Sequence, residues 1–370
     1  MILGIDTSTY LEELENGARF YDGGVEIDPL DAFVKNGVNY MRIRVWNDPK
    51  APDGTPYLAG NCDMDHYIRL GKLAKSKGFE ILLDFHYSDF WADPGKQCIP
   101  KAWQGYGVKE MVDAVYTFTK ECLVKAVREG VAPALVQIGN EITNGMLWPV
   151  GQLSEPVNGV RQGYENLIPL IGAGCKAARE VIPEAEIILH LERSNDKAVY
   201  QEFFSQMRDA GVDYDIIGAS YYPYWHGTPK ELFENLMACK GFGKKIMVVE
   251  LGYGFTDKPY LLDGKPRRLV IDKERAYVPG VTDQYPLTPE GQAAYIENFL
   301  ALAEKHAIDG VFYWEPLWLP GEHICWASEA GQAYIHEEGK DTSNEWANQC
   351  LFDYEGNLLP AFRKFGQKTK

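Results

Sequence analysis

Val136-Gln-Ile-Gly-Asn-Glu141 is a short apolar run that ends in a carboxylate, and Ile246-Met-Val-Val-Glu250 repeats this arrangement later in the chain. Runs of this kind are typical of buried strands in a parallel sheet. An ionised side chain at the end of such a strand needs partners or a polar cleft. A parallel barrel offers that cleft at the C-terminal rim of its strands. The two runs therefore predict barrel strands that bring Glu141 and Glu250 to one mouth.

Six further apolar runs accompany these two, with helical segments between them. The eight predicted strands cover residues 2–6, 39–46, 79–86, 134–141, 186–190, 214–220, 245–250 and 310–314. The clearest helical periodicity lies at residues 64–77, 109–129, 163–181 and 289–306. Strands that alternate with helices imply right-handed βαβ units, and eight such units close a barrel. We expect an α/β fold, a single (β/α)8 TIM barrel over residues 1–370, with long and therefore functional loops after strands 3, 4, 7 and 8.

The charge of the chain restricts its partners. Lys and Arg total 37 against 53 Asp and Glu, which gives a net charge of −16. This charge disfavours nucleic acid, anionic membranes and polyanionic sugars, so we expect a neutral ligand. No stretch approaches the roughly 18 apolar residues of a membrane span. The seven cysteines are scattered without metal-ligand spacing, which favours reduced thiols and a cytoplasmic location, although a removed signal peptide would leave the same sequence in a secreted protein.

Tryptophan is concentrated where the predicted strands end. All nine fall at the C-terminal end of a predicted strand or in the loop that follows: Trp46, Trp91, Trp103, Trp148, Trp225, Trp314, Trp318, Trp326 and Trp346. Flat indole faces at a barrel mouth suit sugar rings, whose C–H faces stack on them. The alternative is that some of these side chains only pack loops onto the barrel.

A carboxylate pair at a barrel mouth predicts glycoside hydrolysis, in which one acid protonates the leaving oxygen and a second carboxylate acts on the other face. Asn140 would lie beside Glu141 and bond a sugar hydroxyl. Arg42 and Arg44 alternate on strand 2, and an Arg near Glu250 would lower the pKa of that carboxylate and keep it ionised. The alternative for each of these charged residues is a structural ion pair.

His86 and His190 end strands 3 and 5. They are candidate metal ligands, but no second histidine follows either of them at metal-binding spacing. We therefore expect them to orient a carboxylate or a hydroxyl, with a hydrogen-bonded core histidine as the alternative. No cofactor or metal is expected in the site.

Long strings of the sequence closely resemble one enzyme family. They include Leu83-Asp-Phe-His-Tyr-Ser-Asp-Phe-Trp-Ala-Asp-Pro-Gly95, Gln137-Ile-Gly-Asn-Glu-Ile142, Arg42-Ile-Arg-Val-Trp-Asn47, Ser220-Tyr-Tyr-Pro-Tyr-Trp225 and Phe312-Tyr-Trp-Glu-Pro316. On these strings the chain resembles glycoside hydrolase family 53, the arabinogalactan endo-β-1,4-galactanases. The resemblance spans almost the entire chain.

The resemblance implies a retaining hydrolase that cuts internal β-1,4-galactosidic bonds in the neutral galactan side chains of pectin. It implies Glu141 as the acid/base and Glu250 as the nucleophile. It further implies residues that frame these carboxylates or line sugar subsites: Arg44, His86, Asn140, His190 and Tyr222 around the carboxylates, Trp314 under the cleaved sugar, and Ser88, Asp89, Trp91 and Asp93 in the neighbouring subsites.

One feature departs from the resemblance. Bacterial members often hold a calcium ion between the loops after strands 7 and 8, but here the first of these loops reads Lys258-Pro-Tyr-Leu-Leu-Asp-Gly-Lys-Pro-Arg-Arg268, with spaced acids and many bases. We therefore expect no calcium. Three alternatives remain for the function: a related enzyme acting on another neutral β-glycan, an enzyme for imported galacto-oligosaccharides, and a sugar-binding barrel without catalysis.

Overall fold

Eight parallel strands follow one another around a closed barrel in the computed structural model, which describes residues 1–157 and 160–366. The strands are β1 (Ile2–Asp6), β2 (Tyr40–Val45), β3 (Glu80–Phe85), β4 (Leu135–Ile138), β5 (Glu186–Leu191), β6 (Ile216–Tyr221), β7 (Lys245–Leu251) and β8 (Gly310–Trp314). Each pairs with its sequence neighbours, and β8 closes the barrel against β1. All eight predicted strands are confirmed. The predicted domain span also contains residues 158–159 and 367–370, which lie outside the described part of the chain.

Helices surround the barrel. They are α1 (Tyr10–Glu15), α2 (Pro29–Lys35), α3 (Met64–Lys77), α4 (Val108–Arg128), α5 (Tyr164–Val181), α6 (Lys197–Asp209), α7 (Pro223–His226), α8 (Pro229–Cys239), α9 (Pro289–Lys305), α10 (Glu329–Tyr334) and α11 (Pro360–Lys364). The four predicted helices agree with α3, α4, α5 and α9 to within one residue. Their ends have local causes: the Asp63 carboxylate accepts from the first backbone N–H groups of α3, and Gly78 ends that helix with a left-handed backbone.

Within the described residues, no helix is both long enough and apolar enough to cross a bilayer. Short elements complete the fold. They comprise single turns at Lys101–Trp103, Ile142–Asn144, Lys240–Phe242 and Ala347–Gln349, and two-residue ribbons that pair Tyr21–Asp22 with Val25–Glu26, Gly145–Met146 with Gly151–Gln152, Pro156–Val157 with Val160–Arg161, and Leu261–Leu262 with Lys265–Pro266.

The barrel interior changes from apolar to charged along the strand direction. A separate apolar cluster fills its lower part: Leu82, Leu135, Ile188, Ile216, Met247, Val249 and Phe312. Side chains two residues further along a strand point to the same face. Asp84, Gln137 and His190 therefore lie above this cluster and toward the mouth, where they are fully buried. The strand period alone places a polar layer directly below the C-terminal rim.

The two glutamates stand differently on their strands than the sequence predicts. β4 ends at Ile138, because Gly139 and Glu141 both adopt the left-handed region with φ of 80° and 49°. Glu141 thus lies beyond its strand, in a conformation that costs a residue with a Cβ about 1 kcal/mol or more. Glu250 remains inside β7, where the pairing register shifts after Val248. Backbone strain such as that at Glu141 concentrates at functional sites.

Candidate active site

Glu141 and Glu250 meet at the barrel mouth. One carboxylate oxygen of each, together with a ring nitrogen of His190, lie within 4.8 Å of one another. The two side chains are largely buried, with 9% and 5% of their surfaces exposed. Both line a cleft of about 690 Å³ that opens at the C-terminal ends of the strands. This spacing is that of carboxylates that attack a sugar directly, since inverting enzymes hold theirs roughly 6.5–9.5 Å apart.

Glu250 is held by two donors. Arg42 Nη1 lies 2.9 Å from Oε1, and the Tyr222 hydroxyl donates to Oε2 at 2.8 Å. Burial nevertheless raises the pKa of Glu250, and Arg42 and Tyr222 offset only part of this effect. The expected Arg beside Glu250 is therefore present and lowers the pKa of that carboxylate. The net shift is nevertheless upward, because complete burial outweighs one guanidinium that also contacts Asp6 and Asp84.

Glu141 has a stronger tendency to hold a proton. Its Oε1 accepts from the Ser220 hydroxyl at 2.6 Å, and it has no basic partner among the described residues. Burial raises the pKa of Glu141 well above its ordinary value, and the nearby charges of Glu250 and Glu192 raise it further. The two carboxyl groups therefore differ: one is paired with a guanidinium, and the other is adjacent to anions. Such a difference separates an acid from a nucleophile.

His190 orients this acid through Ser220. The Ser220 hydroxyl has one proton, which it donates to Glu141, so it accepts the hydrogen bond from His190 Nε2 at 2.8 Å. Burial lowers the pKa of His190 well below its ordinary value, and Arg42 adds to this effect, so the imidazole is neutral. Its Nδ1 then accepts from the backbone N–H of Glu141 and from Gln137 Nε2, at 3.4 and 3.1 Å.

Asn140 lies next to this network and also lines the cleft. Its Oδ1 accepts from Arg42 Nη2 at 2.8 Å, and its Nδ2 donates to the Ala92 carbonyl at 2.9 Å. One N–H of the amide remains for a ligand hydroxyl.

Arg44 does not contact the carboxylate pair, which corrects the prediction for this residue. Its guanidinium bonds Glu315 at 2.6 Å and the Ala59 carbonyl at 3.0 Å, and it stacks 4.4 Å from the ring centroid of Trp91. Arg42, one layer deeper on β2, contacts Glu250 instead. Alternation showed that both arginines point inward, but it could not show which layer Glu250 reaches.

Aromatic side chains form much of the cleft wall. Six of the nine tryptophans line it: Trp91, Trp225, Trp314, Trp318, Trp326 and Trp346. Trp314 is half-buried at the end of β8 and packs edge-on against Trp346, with ring centroids 4.6 Å apart. Trp46 and Trp103 are buried and do not line the cleft, so the packing alternative applies to them.

The predicted subsite residues of the loop after β3 divide into two groups. Asp93 and His86 line the cleft, and His86 Nε2 lies 3.1 Å from Asp84. Ser88 and Asp89 do not line it, which corrects their predicted role: both are buried, and Asp89 accepts from Lys101 Nζ at 2.8 Å. They fasten the loop rather than face a ligand.

Sequence reasoning did not select three residues that complete the site. Ser220 belongs to a quoted family string but has no separate signal. Gln137 and Glu192 lie inward by strand alternation, two residues from Leu135 and from His190. The two-residue period of a strand could have identified Gln137 and Glu192 as inward-facing if the limits of β4 and β5 had been known.

The geometry disfavours a metal between the carboxylates. Glu141, His190 and Glu250 could supply three ligand atoms, but both nitrogens of His190 are engaged and the Arg42 guanidinium already neutralises Glu250.

The loops after β7 and β8 do not fit a calcium ion either. The carboxylates of Glu345 and Asp341 face Arg268 and Arg267, at 3.4 and 4.0 Å. Asn348 Nδ2 donates to two carbonyls of the first loop, at 2.8 Å each. These contacts join the two loops and occupy the side chains that a cation would need as ligands.

Comparison with known proteins matches residues 2–365 to the family described as Glycosyl hydrolase family 53. The endo-beta-1,4-galactanase of Bacillus subtilis (strain 168) is 33% identical over 98% of this chain and 85% of that protein. The arabinogalactan endo-beta-1,4-galactanase of Cellvibrio japonicus (strain Ueda107) is 32% identical over 98% of this chain and 90% of that protein. The solved structure of the Ignisphaera aggregans GH53 catalytic domain is 36% identical, with a TM-score of 0.85, over 98% of this chain and 95% of that one.

Proposed function

The chain belongs to glycosyl hydrolase family 53, and we propose that it cleaves internal β-1,4-galactosidic bonds of galactan with Glu250 as nucleophile and Glu141 as general acid and base. The carboxylate spacing within 4.8 Å carries this proposal, because it leaves no room for a water between nucleophile and sugar. The reaction is therefore a double displacement with retention at the anomeric carbon.

In the first step a Glu250 oxygen forms a bond to the anomeric carbon while the bond to the leaving oxygen breaks. Glu141 transfers its proton to that oxygen, so the leaving sugar departs with a free hydroxyl. Arg42 and the Tyr222 hydroxyl bond the Glu250 carboxylate before the attack. They hold the carboxylate toward the sugar, although they also lower its nucleophilicity, so their main contribution is orientation.

In the second step Glu141, now ionised, takes a proton from water, and the resulting oxygen displaces Glu250 from the anomeric carbon. The charge of Glu250 is absent while the ester exists. Since that charge helps to raise the pKa of Glu141, its loss converts the same residue from an acid into a base. The network from His190 through Ser220 holds Glu141 in place during both steps.

The substrate assignment is supported by the relatives, whose names specify β-1,4-galactan or arabinogalactan. The cleft agrees with a polymer: tryptophans from several loops line it, which suits several sugar rings in succession. Asn140 retains one N–H for a hydroxyl of the reacting sugar. The net charge of −16 favours a neutral chain over polygalacturonate.

A digestion panel tests this function. Purified protein is incubated with unbranched β-1,4-galactan, carboxymethylcellulose, mannan and polygalacturonate, and the early products are followed by NMR. We expect galactan to be cut fastest, with the β-anomer appearing first. A site that bonds the axial O4 of galactose should reject glucan by orders of magnitude in kcat/KM, because its polar groups would remain unpaired. Faster cleavage of glucan or mannan, or an initial α-anomer, would contradict the proposal.

A further inference from the structure

Glu192 is a third carboxyl group in the cleft. It follows His190 by two residues and lies directly after the last residue of β5, so its side chain points to the same inner face, one step nearer the mouth. It lines the cleft together with Glu141 and Asn144, and only 4% of its surface is exposed. No step of the reaction described above uses it.

The carboxylate of Glu192 is not neutralised by its surroundings. Two arginines face it, but each is committed elsewhere: Arg161 to Glu202 at 2.7 Å, and Arg193 to Asp196 at 2.6 Å. Among the described residues Glu192 makes no ion pair, and its buried Oε2 has no hydrogen-bond partner. The hydroxyl of Thr143, in the turn after Glu141, is the polar group that faces it. An unpaired buried carboxylate persists only where its cost is offset by a function or by other contacts.

Both carboxyl groups hold their protons more strongly than an ordinary glutamate does. Burial raises the pKa of Glu192 to about 7, with Thr143, Arg193 and Arg161 opposing the shift. The pKa of Glu141 is raised well above its ordinary value, by burial first and then by the charges of Glu250, Glu192 and Asp93. Above pH 7 Glu192 is therefore mostly ionised. On the alkaline side of the pH profile its negative charge is present beside the acid.

We propose that Glu192 is a positioning residue for the proton of Glu141, a third carboxylate whose charge beside the acid disfavours loss of that proton. The inference rests on the proposed role of Glu141 as general acid. The charge of Glu192 would help both steps of the double displacement. Glu192 extends the range over which Glu141 remains protonated for the first step, and it keeps Glu141 a stronger base in the second step, when the charge of Glu250 is absent.

The substitution Glu192→Gln tests this, because it removes the charge and preserves the shape. We expect the alkaline limb of kcat/KM on galactan to move to lower pH by about one unit, the size typical of one nearby charge. Activity should fall roughly tenfold on the alkaline limb, with little change at pH 5, where Glu192 is protonated. Glu184→Gln is the matched control. It removes one exposed acid just before the other end of β5, and its profile should equal that of the wild type.

Carboxyl ¹³C NMR separates this inference from the proposed function. With Glu141 assigned through Glu141→Gln, its titration midpoint should fall in Glu192→Gln by the same amount as the alkaline limb, whatever the substrate. If Glu192→Gln does not fold, the titration of Glu141 in the wild-type protein tests the inference instead. The Glu141 signal should then show a second inflection where Glu192 titrates, because interacting sites share their protons. An unmoved midpoint, or a single-step curve in the wild type, would overturn the inference, whereas failure on galactan alone would overturn only the function.

Discussion

At the residue scale, two identical side chains acquire different chemistry from their surroundings. Glu250 receives hydrogen bonds from Arg42 and Tyr222, whereas Glu141 receives one from Ser220 and lies near the charges of Glu250 and Glu192. Both pKa values are raised by burial, but only Glu250 has a cation to favour its anion. In the proposed mechanism, acid and nucleophile thus differ by their neighbours rather than by residue type.

Replacing Glu141 with Ala should remove proton donation and leave the nucleophile in place. We expect galactan turnover to fall by roughly 10²–10⁴-fold, the usual contribution of general acid–base catalysis. Aryl galactosides with good leaving groups need no proton and should lose far less in the glycosylation step. Added azide should restore turnover of these substrates by attacking the glycosyl-enzyme, yielding a β-galactosyl azide. Equal losses on both substrate types, without azide rescue, would contradict the assignment.

The sequence could predict the two glutamates but not their contacts. Both carboxylates end apolar runs, a costly placement that marks a functional residue. Arg42 and Arg44 show the same sequence pattern, since both point inward from one strand. Arg42 reaches Glu250 because it lies deeper in the barrel than Arg44, and the sequence does not show this depth. Ser88 and Asp89 lie between residues that line the cleft, yet they are turned into the loop. Such orientation depends on tertiary packing, which adjacency in sequence does not determine.

At the element scale, the strand ends and their loops determine the shape of the cleft. β8 ends at Trp314, whose ring lies between the loops that carry Trp91 and Trp346. The strand itself was predicted to its exact limits, because a five-residue apolar run bounded by polar residues has few alternatives. The end of β4 was predicted three residues too late, since the left-handed turn at Gly139 has no clear sequence signal beyond glycine itself.

Trp314→Ala should weaken the subsite for the reacting sugar. Stacking of a ring on an aromatic side chain contributes roughly 1–3 kcal/mol by analogy with nucleobases, so kcat/KM for galactan should fall about tenfold or more. Trp103→Ala is the matched control: Trp103 is 8% exposed and packs on Phe118 away from the cleft. That variant should lower the melting temperature more than the activity of the folded fraction. A Trp314→Ala protein with a lower melting temperature but normal kcat/KM would show that the ring only packs the loops.

The loops after β7 and β8 should hold together without calcium. Ion pairs such as Arg268–Glu345 and the amide bonds of Asn348 join them. We expect the melting temperature measured in EDTA to equal that in excess calcium chloride, with magnesium chloride as the control for ionic strength. A bound ion would stabilise the fold by about 2.7 kcal/mol at a hundredfold excess over its dissociation constant. A calcium-specific rise in melting temperature would therefore show a site that these contacts do not reveal.

At the scale of the whole molecule, the barrel has a built-in polarity. Apolar side chains fill its lower interior, and two residues further along the strands an ionic layer of Asp6, Arg42 and Asp84 lies below the glutamates, with the Gln137 amide accepting from Arg42. This layer fixes the guanidinium of Arg42 from several sides, so that Glu250 meets a rigid partner. The architecture was predictable because eight periodic runs close a barrel in one way, whereas the ionic layer depends on how deep each side chain lies.

The most direct test of the whole account is covalent labelling of the nucleophile. A 2-deoxy-2-fluoro-β-galactoside with a good leaving group should form a stable ester. The fluorine slows both formation and hydrolysis of the ester, and the good leaving group restores the rate of formation only. Peptide mass spectrometry of the inactivated protein should then find one fluorogalactosyl group, attached to Glu250, and the Glu250→Gln variant should remain unlabelled. Labelling of another residue, or inactivation without any covalent sugar, would contradict double displacement at the Glu141–Glu250 pair.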